Sequence, residues 1–254
     1  MIGRLASIVA CGILAALLVA GTPAPGAAHS VAPIEDRMVQ SLCRTHGCPN
    51  DETTRPWIDL ITEVGQPIVG RTSLLQRYGH VHVFVFGAQA PNAVALIHSI
   101  GITAGLGRLG LERDEFAFVV AHELAHIDLG HVQRKVDRIQ TTTAIRVLLN
   151  VIVRSDAYDP LFRLLQEAVL ASFGRELETD ADLRGLKLMR EAGFNGEAAA
   201  TALAKIAGRG VERTGDLFDS HPSVTERIRR IREALAASGV SPPPPSPAAL
   251  RQRL

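Results

Sequence analysis

The sequence predicts an α+β chain, mainly helical, with a small β-sheet beside one central helix. Three observations lead there. Aromatic residues make up only 4% of the chain, whereas Ala, Leu, Val and Gly are abundant, a composition suited to packed helices. Apolar residues recur at helical spacing in several stretches. Against that background, Val81-His82-Val83-Phe84-Val85-Phe86 has the β-branched and aromatic character of a strand.

The 254 residues suffice for one sizeable domain or two small ones. A formal charge of +1 lacks the basic excess of a nucleic-acid binder, so no nucleic-acid partner is expected. Arg4 precedes an apolar run from Leu5 to Ala20, and Gly21 to Ala28 is a small-residue, proline-containing stretch. This order predicts a secretory signal peptide over residues 1–28, cut after Ala28. The apolar run is shorter than the roughly 20 residues that a spanning helix needs; the alternative is an uncleaved N-terminal anchor. Export across an inner membrane makes the periplasm the expected location. Cys43 and Cys48 would then meet an oxidising compartment and pair as a local disulfide. His46 between them leaves a metal-binding alternative open, although no fourth ligand stands nearby in the sequence.

The remaining elements follow in order, with 29–237 expected as one domain. Ile34, Met38, Val39 and Leu42 mark a short helix over 34–44, followed by a polar loop. A second helix starts near Pro56, where a missing N–H costs nothing, with Trp57, Leu60, Ile61 and Val64 as its stripe. The strand over 81–86 comes next, with His80 and His82 expected to face solvent. Residues 92–102 hold another extended segment, and Gly101, Gly105, Gly107 and Gly110 break the pattern. The central helix begins between Glu112 and Glu115, where acids complement its dipole. Phe116, Val119, Val120, Leu124 and Ile127 form its buried side.

At the centre of this helix stands His122-Glu123-Leu124-Ala125-His126. Side chains four apart share a helix face, so two imidazoles aim at one point with Glu123 beside them. Two neutral imidazoles and a third protein ligand suit Zn²⁺. The ion lowers the pKa of a bound water enough for a carboxylate to take its proton, the H-E-x-x-H arrangement of a zinc peptidase. Gly130-His131 ends or bends the helix. His131 lies nine residues after His122, one short of the longer three-histidine motif, which argues for a supporting or surface role. An apolar-rich stretch from Thr141 to Phe173 follows, split near Asp156 to Pro160. Segment 144–170 is expected to pack on the body, with a lid or a binding patch as alternatives.

Glu178 and Asp182 then share a helix face. The first offers a third ligand, and the second a partner for the outer N–H of a ligand imidazole. Asn195 is expected to cap a helix over 196–206, and Ser223 with Glu226 to box a final helix ending near Ala237. The tail, 238–254, is Pro- and Ser-rich and expected to be disordered.

Taken in chain order, His122-Glu123-x-x-His126, Glu178-x-x-Ala181-Asp182 and Ser220-His221-Pro222 resemble the gluzincin metallopeptidases of peptidase family forty-eight. This is the HtpX, BepA and CAAX prenyl protease type, and the secreted BepA-like branch is the nearest in form. Asn92-Ala93 and the run 114–119 are similar to family segments too. The resemblance implies a zincin-type domain with one Zn²⁺ per chain, held by His122, His126 and Glu178. It implies Glu123 as general base, Asp182 as an orienting carboxylate and His221 near the metal or the developing oxyanion. Glu176 with Asp180 has the same spacing as Glu178 with Asp182. The family's E-x-x-A-D-x-x-G run, completed by Gly185, favours the latter. Where the family carries Pro-Gly-Gly, this chain has Ile97-His98-Ser99, which puts cleft shape in question; His98 is expected to be exposed or to line the cleft.

The implied activity is endopeptidase cleavage of exported or misfolded envelope proteins, a form of protein quality control. Polypeptides would be the substrates, with possible peripheral contact to membrane or outer-membrane assembly factors. Two rivals stand beside it: an envelope chaperone with little proteolysis, and a structural or self-inhibited zinc site in which His221 fills the fourth position.

Overall fold

A computed structural model describes residues 16–19, 32–49, 51–139, 166–167, 169–170, 173–208 and 224–238. The described residues are mostly helical and carry one small sheet, as the composition predicts. In order they form β1 (Ala16–Val19), α1 (Ala32–His46), α2 (Arg55–Val69), α3 (Leu74–Tyr78), β2 (His80–Phe86), β3 (Ala93–Ala95), β4 (Ser99–Thr103), α4 (Ala104–Gly107), α5 (Arg113–Asp128), α6 (His131–Ile139), α7 (Arg175–Glu191), α8 (Ala198–Gly208) and α9 (Val224–Ala237).

The strands lie in the order β1-β2-β4-β3. β2 and β4 are parallel, with Val83 opposite Ile100, whereas β1 and β3 run antiparallel to their neighbours. β1 falls inside the stretch expected to be a removable leader. Gly101 on β4 is required by its neighbour, since a Cβ there would lie 2.5 Å from the Phe84 ring. No helix among the described residues is long and apolar enough to cross a membrane.

α5 is the axis of the fold. Its residues from Glu115 to Ile127 are all buried, where the sequence predicts a single buried face. The reason is its surroundings: α2, α7, α8 and the β3–β4 hairpin pack around it. A helix enclosed on all sides buries every face, here including Glu115, His122, Glu123 and His126. Its first turn is fixed by the Glu112 N–H, which donates to Glu115 Oε2 at 2.7 Å, and by Lys205 of α8, whose Nζ lies 2.6 Å from the same oxygen. At its far end Gly130 adopts φ +70°, a left-handed conformation open to glycine, and the chain turns into α6.

Several elements differ from the sequence-based expectation. The glycine-rich stretch after β4 forms the short helix α4, where Gly107 gives the Trp57 ring a seat that any Cβ would fill at 2.3 Å. Asn195 does accept the Glu197 N–H at 3.1 Å, but α8 begins at Ala198. His80 and His82 are half-buried rather than solvent-facing, and His98 is only 6% exposed, away from any cleft-lining position. The cause is α1, whose buried Glu35 accepts the His98 backbone N–H and lies 2.8 Å from its ring Nδ1. Cys43 and Cys48, at the end of α1 and just beyond it, are joined as a disulfide. The bulk of segment 144–170, together with His221, Ser223 and nearly all of the 238–254 tail, lies outside the described residues.

Candidate metal centre

α5 and α7 build the centre by direct contact. Gly185 of α7 sits against the α5 backbone so closely that a Cβ would lie 3.1 Å from the Cα and N of His122. That approach lets Glu178, one helix face away from solvent, reach the paired imidazoles. His122 Nε2 and His126 Nε2 are 3.1 Å apart, and the Glu178 carboxylate oxygens lie 3.6 Å from the first and 3.5 Å from the second. All three side chains are buried. Among the described residues they are the one set of three or more His, Cys, Asp or Glu side chains whose donor atoms fall within 4.8 Å of one another.

These edges fit a single ion. Donors about 2.0–2.1 Å from a tetrahedral Zn²⁺ are separated by roughly 3.3 Å, close to the three distances found. The electrostatics point the same way. Buried Glu123, Glu178 and Asp182 gather about the buried guanidinium of Arg227, an acid-rich setting that suits a cation. Without a cation, a proton is drawn in instead. Burial disfavours it, but the Asp182 and Glu178 carboxylates prevail and lift the His122 pKa to about 9.

Each of the two imidazoles is held from behind. Asp182 Oδ1 lies 3.0 Å from His122 Nδ1, which favours the tautomer with its proton on Nδ1 and its lone pair on Nε2. His126 Nδ1 meets His131 Nδ1 at 2.9 Å. Burial, then the nearby Arg134, pushes the His131 pKa down to about 4, so this ring stays neutral and can accept the His126 N–H. Phe173 stacks on His126 with ring centroids 4.0 Å apart and an interplanar angle of 20°. His131 thus supports the His126 ring, one of the two roles its spacing suggests.

Arg227 and Phe173 were not singled out by the sequence reading. Arg227 of α9 places Nε and Nη2 on the two Asp182 oxygens, each at 2.7 Å, and Nη1 at 3.3 Å from Glu178. Its signal was present: Arg227 and Ile231 are four apart and are the buried positions of α9, which puts an arginine on the apolar stripe. Phe173 carries no comparable pattern.

Glu123 lines a cleft beside His122. Asn92 and Ala93 at the start of β3 form one wall, and Leu203 and Ile206 of α8 form part of the other, with Arg227 at the back. The cleft, about 120 Å³ in volume, offers an apolar side chain a complementary surface.

A model of Peptidase family M48 matches residues 58–235. The chain is similar to metalloprotease LoiP of Escherichia coli strain K12, 30% identical over 164 residues, covering 63% of this chain and 65% of LoiP. It is similar to metalloprotease YcaL of the same organism, 27% identical over 127 residues, covering 49% and 50%. Mitochondrial metalloendopeptidase OMA1 of Schizosaccharomyces pombe is 35% identical over 129 residues, covering 50% of this chain and 38% of OMA1. The matched stretch spans less than two thirds of each relative.

Proposed function

The chain belongs to peptidase family M48, and from that premise we propose that it is a zinc-dependent endopeptidase of the cell envelope. The observation that carries this reading is the triangle of His122, His126 and Glu178 donors, with edges of 3.1 to 3.6 Å, beside buried Glu123 in a cleft. His122, His126 and Glu178 would hold one Zn²⁺, which supplies a Lewis acid that acidifies water and polarises the scissile carbonyl.

The chain's own residues do the rest. Glu123 takes a proton from the attacking water and returns it to the leaving amine. Asp182 and His131 keep the ligand rings in the tautomer with Nε2 unprotonated. Arg227 holds the two carboxylates of α7 in place. β3 pairs with β4 along one edge, and its other edge, beside the cleft, suits an extended polypeptide. His221 would assist at the oxyanion. Substrates would be exported or misfolded proteins met in the periplasm, after loss of residues 1–28 or with that segment kept as an anchor.

The test is metal analysis of the purified protein beside digestion of casein. One zinc per chain, digestion stopped by a chelator and restored by Zn²⁺, and a Glu123→Gln variant that keeps zinc but does not cut are expected. Digestion indifferent to the chelator, or an active Glu123→Gln variant, would overturn the reading.

A further inference from the structure

A second group of histidines stands apart from the zinc cleft and has no part in its chemistry. His80 and His82 lie two residues apart on β2, hence on one face of the sheet. The turn from β3 into β4 brings His98 over that face, pinned by the His82 N–H, which donates to the His98 carbonyl at 3.0 Å. This is the opposite end of the hairpin from Asn92 and Ala93, which line the cleft. The ring centroids are 4.2 Å apart for His80 and His82, 5.4 Å for His82 and His98, and 5.6 Å for His80 and His98. Imidazoles sharing one tetrahedral ion at about 2.0–2.1 Å have centroids roughly 5 Å apart, and the His122–His126 pair in this same chain stands at 4.7 Å.

The second resemblance to the zinc centre is the support behind the cluster. Glu35 Oε2 lies 2.8 Å from His98 Nδ1, and both Glu35 oxygens accept the His98 backbone N–H at 3.1 and 3.3 Å. Glu35 is 1% exposed and His98 6%. A buried carboxylate on Nδ1 leaves Nε2 as the free donor and fixes the ring, just as Asp182 does for His122. The rings of His80 and His82 have no hydrogen-bonding partner among the described residues. Being half-buried, they can rotate to bring their nitrogens towards His98 Nε2; the three are not yet within the 4.8 Å that the zinc ligands already satisfy.

We propose that His80, His82 and His98 form a second metal site, with Glu35 orienting His98, for a late first-row divalent ion such as Zn²⁺ or Cu²⁺. Three neutral imidazoles suit both ions, and Cu²⁺ binds such a set more tightly. The site leaves a coordination position for water or for a group from outside. It joins α1 to the sheet, so metal binding also clamps the first helix to the domain.

Zinc-loaded full-length protein, titrated with Zn²⁺ and separately with Cu²⁺ and then desalted, tests this by metal content per chain. Wild type is expected to retain a second equivalent, and the His80→Ala/His82→Ala double variant only one. Glu35→Gln should weaken the second equivalent about tenfold or more. Cu²⁺ in this position should show nitrogen splitting in its electron paramagnetic resonance spectrum. Casein digestion should be unchanged in the double variant, and the metal count reads the second site whether or not the chain digests casein. A wild type that keeps one equivalent with either ion, or a double variant that keeps two, would overturn the proposal.

Discussion

Arg227 and Asp182 meet through two parallel hydrogen bonds, Nε to Oδ2 and Nη2 to Oδ1, both 2.7 Å long and both buried. A bidentate guanidinium–carboxylate pair of this kind fixes orientation as well as charge. It is the link by which α9, the last described helix, is joined to the metal centre.

Removing one partner of a buried ion pair strands the other. Arg227→Ala removes the bidentate partner of buried Asp182, and we expect a loss of about 3–5 kcal/mol together with weaker zinc binding. Arg227→Lys should recover only part of this, because an ammonium cannot span both Asp182 oxygens. Urea unfolding of the three proteins, with and without zinc, measures both effects. Equal stability of Arg227→Ala and wild type would contradict the assigned brace.

The contact of Gly185 with His122 predicts a steric effect. A methyl group there must displace α5 or α7 by a few tenths of an ångström against backbone rather than a yielding side chain. Overpacking of this kind costs about 1–3 kcal/mol, so Gly185→Ala should lower the melting temperature and loosen the hold on zinc, and Gly185→Val should do more. A competition titration with a zinc indicator ranks the three. An unchanged affinity in Gly185→Val would show that α7 is not held by this approach.

His131 predicts an effect on affinity without any metal bond of its own. Losing the partner of a ligand imidazole typically costs about 10–100-fold in metal affinity, and His131→Ala should fall in that range with the fold intact. His131→Gln, whose amide oxygen can accept the same N–H, should recover much of it. Full zinc affinity in His131→Ala would remove His131 from the centre.

Acid dependence follows from Asp182, whose carboxyl burial would raise but which Arg227 and His122 hold down to about 2 from a usual 3.8. A carboxylate lowered on folding adds stability above its unfolded pKa, and that stability is lost as pH falls through the folded value. The contribution is about 2 kcal/mol. Metal-free wild type should therefore weaken between about pH 4 and pH 2 along a slope that Asp182→Asn lacks. Urea midpoints across that range give both slopes, and parallel slopes would place the lowered group elsewhere.

Much of this was readable from residue spacing, because it rests on local geometry. His122 and His126 are one helical turn apart, and no tertiary contact is needed to put them on one face. Glu178 could be reached by the order of motifs in the chain. The family was legible for the same reason, whereas the relatives found, LoiP, YcaL and OMA1, do not single out the BepA-like branch. What escaped depends on contacts between distant segments. His98 is buried by a glutamate 63 residues away, and α5 is enclosed because four other elements surround it. Neither fact is encoded in the pattern of its own stretch. Arg227 stands among Arg229, Arg230 and Arg232, and only the buried Ile231 four residues later distinguishes it.

The bidentate pair has a consequence in time. Arg227 lies 105 residues beyond His122, so the two imidazoles emerge during synthesis long before the guanidinium that completes their surroundings. Until Arg227 arrives, Asp182 lacks the two 2.7 Å hydrogen bonds that fix its orientation. The ordered surroundings of the paired imidazoles are thus completed late, once the chain has grown past Arg227.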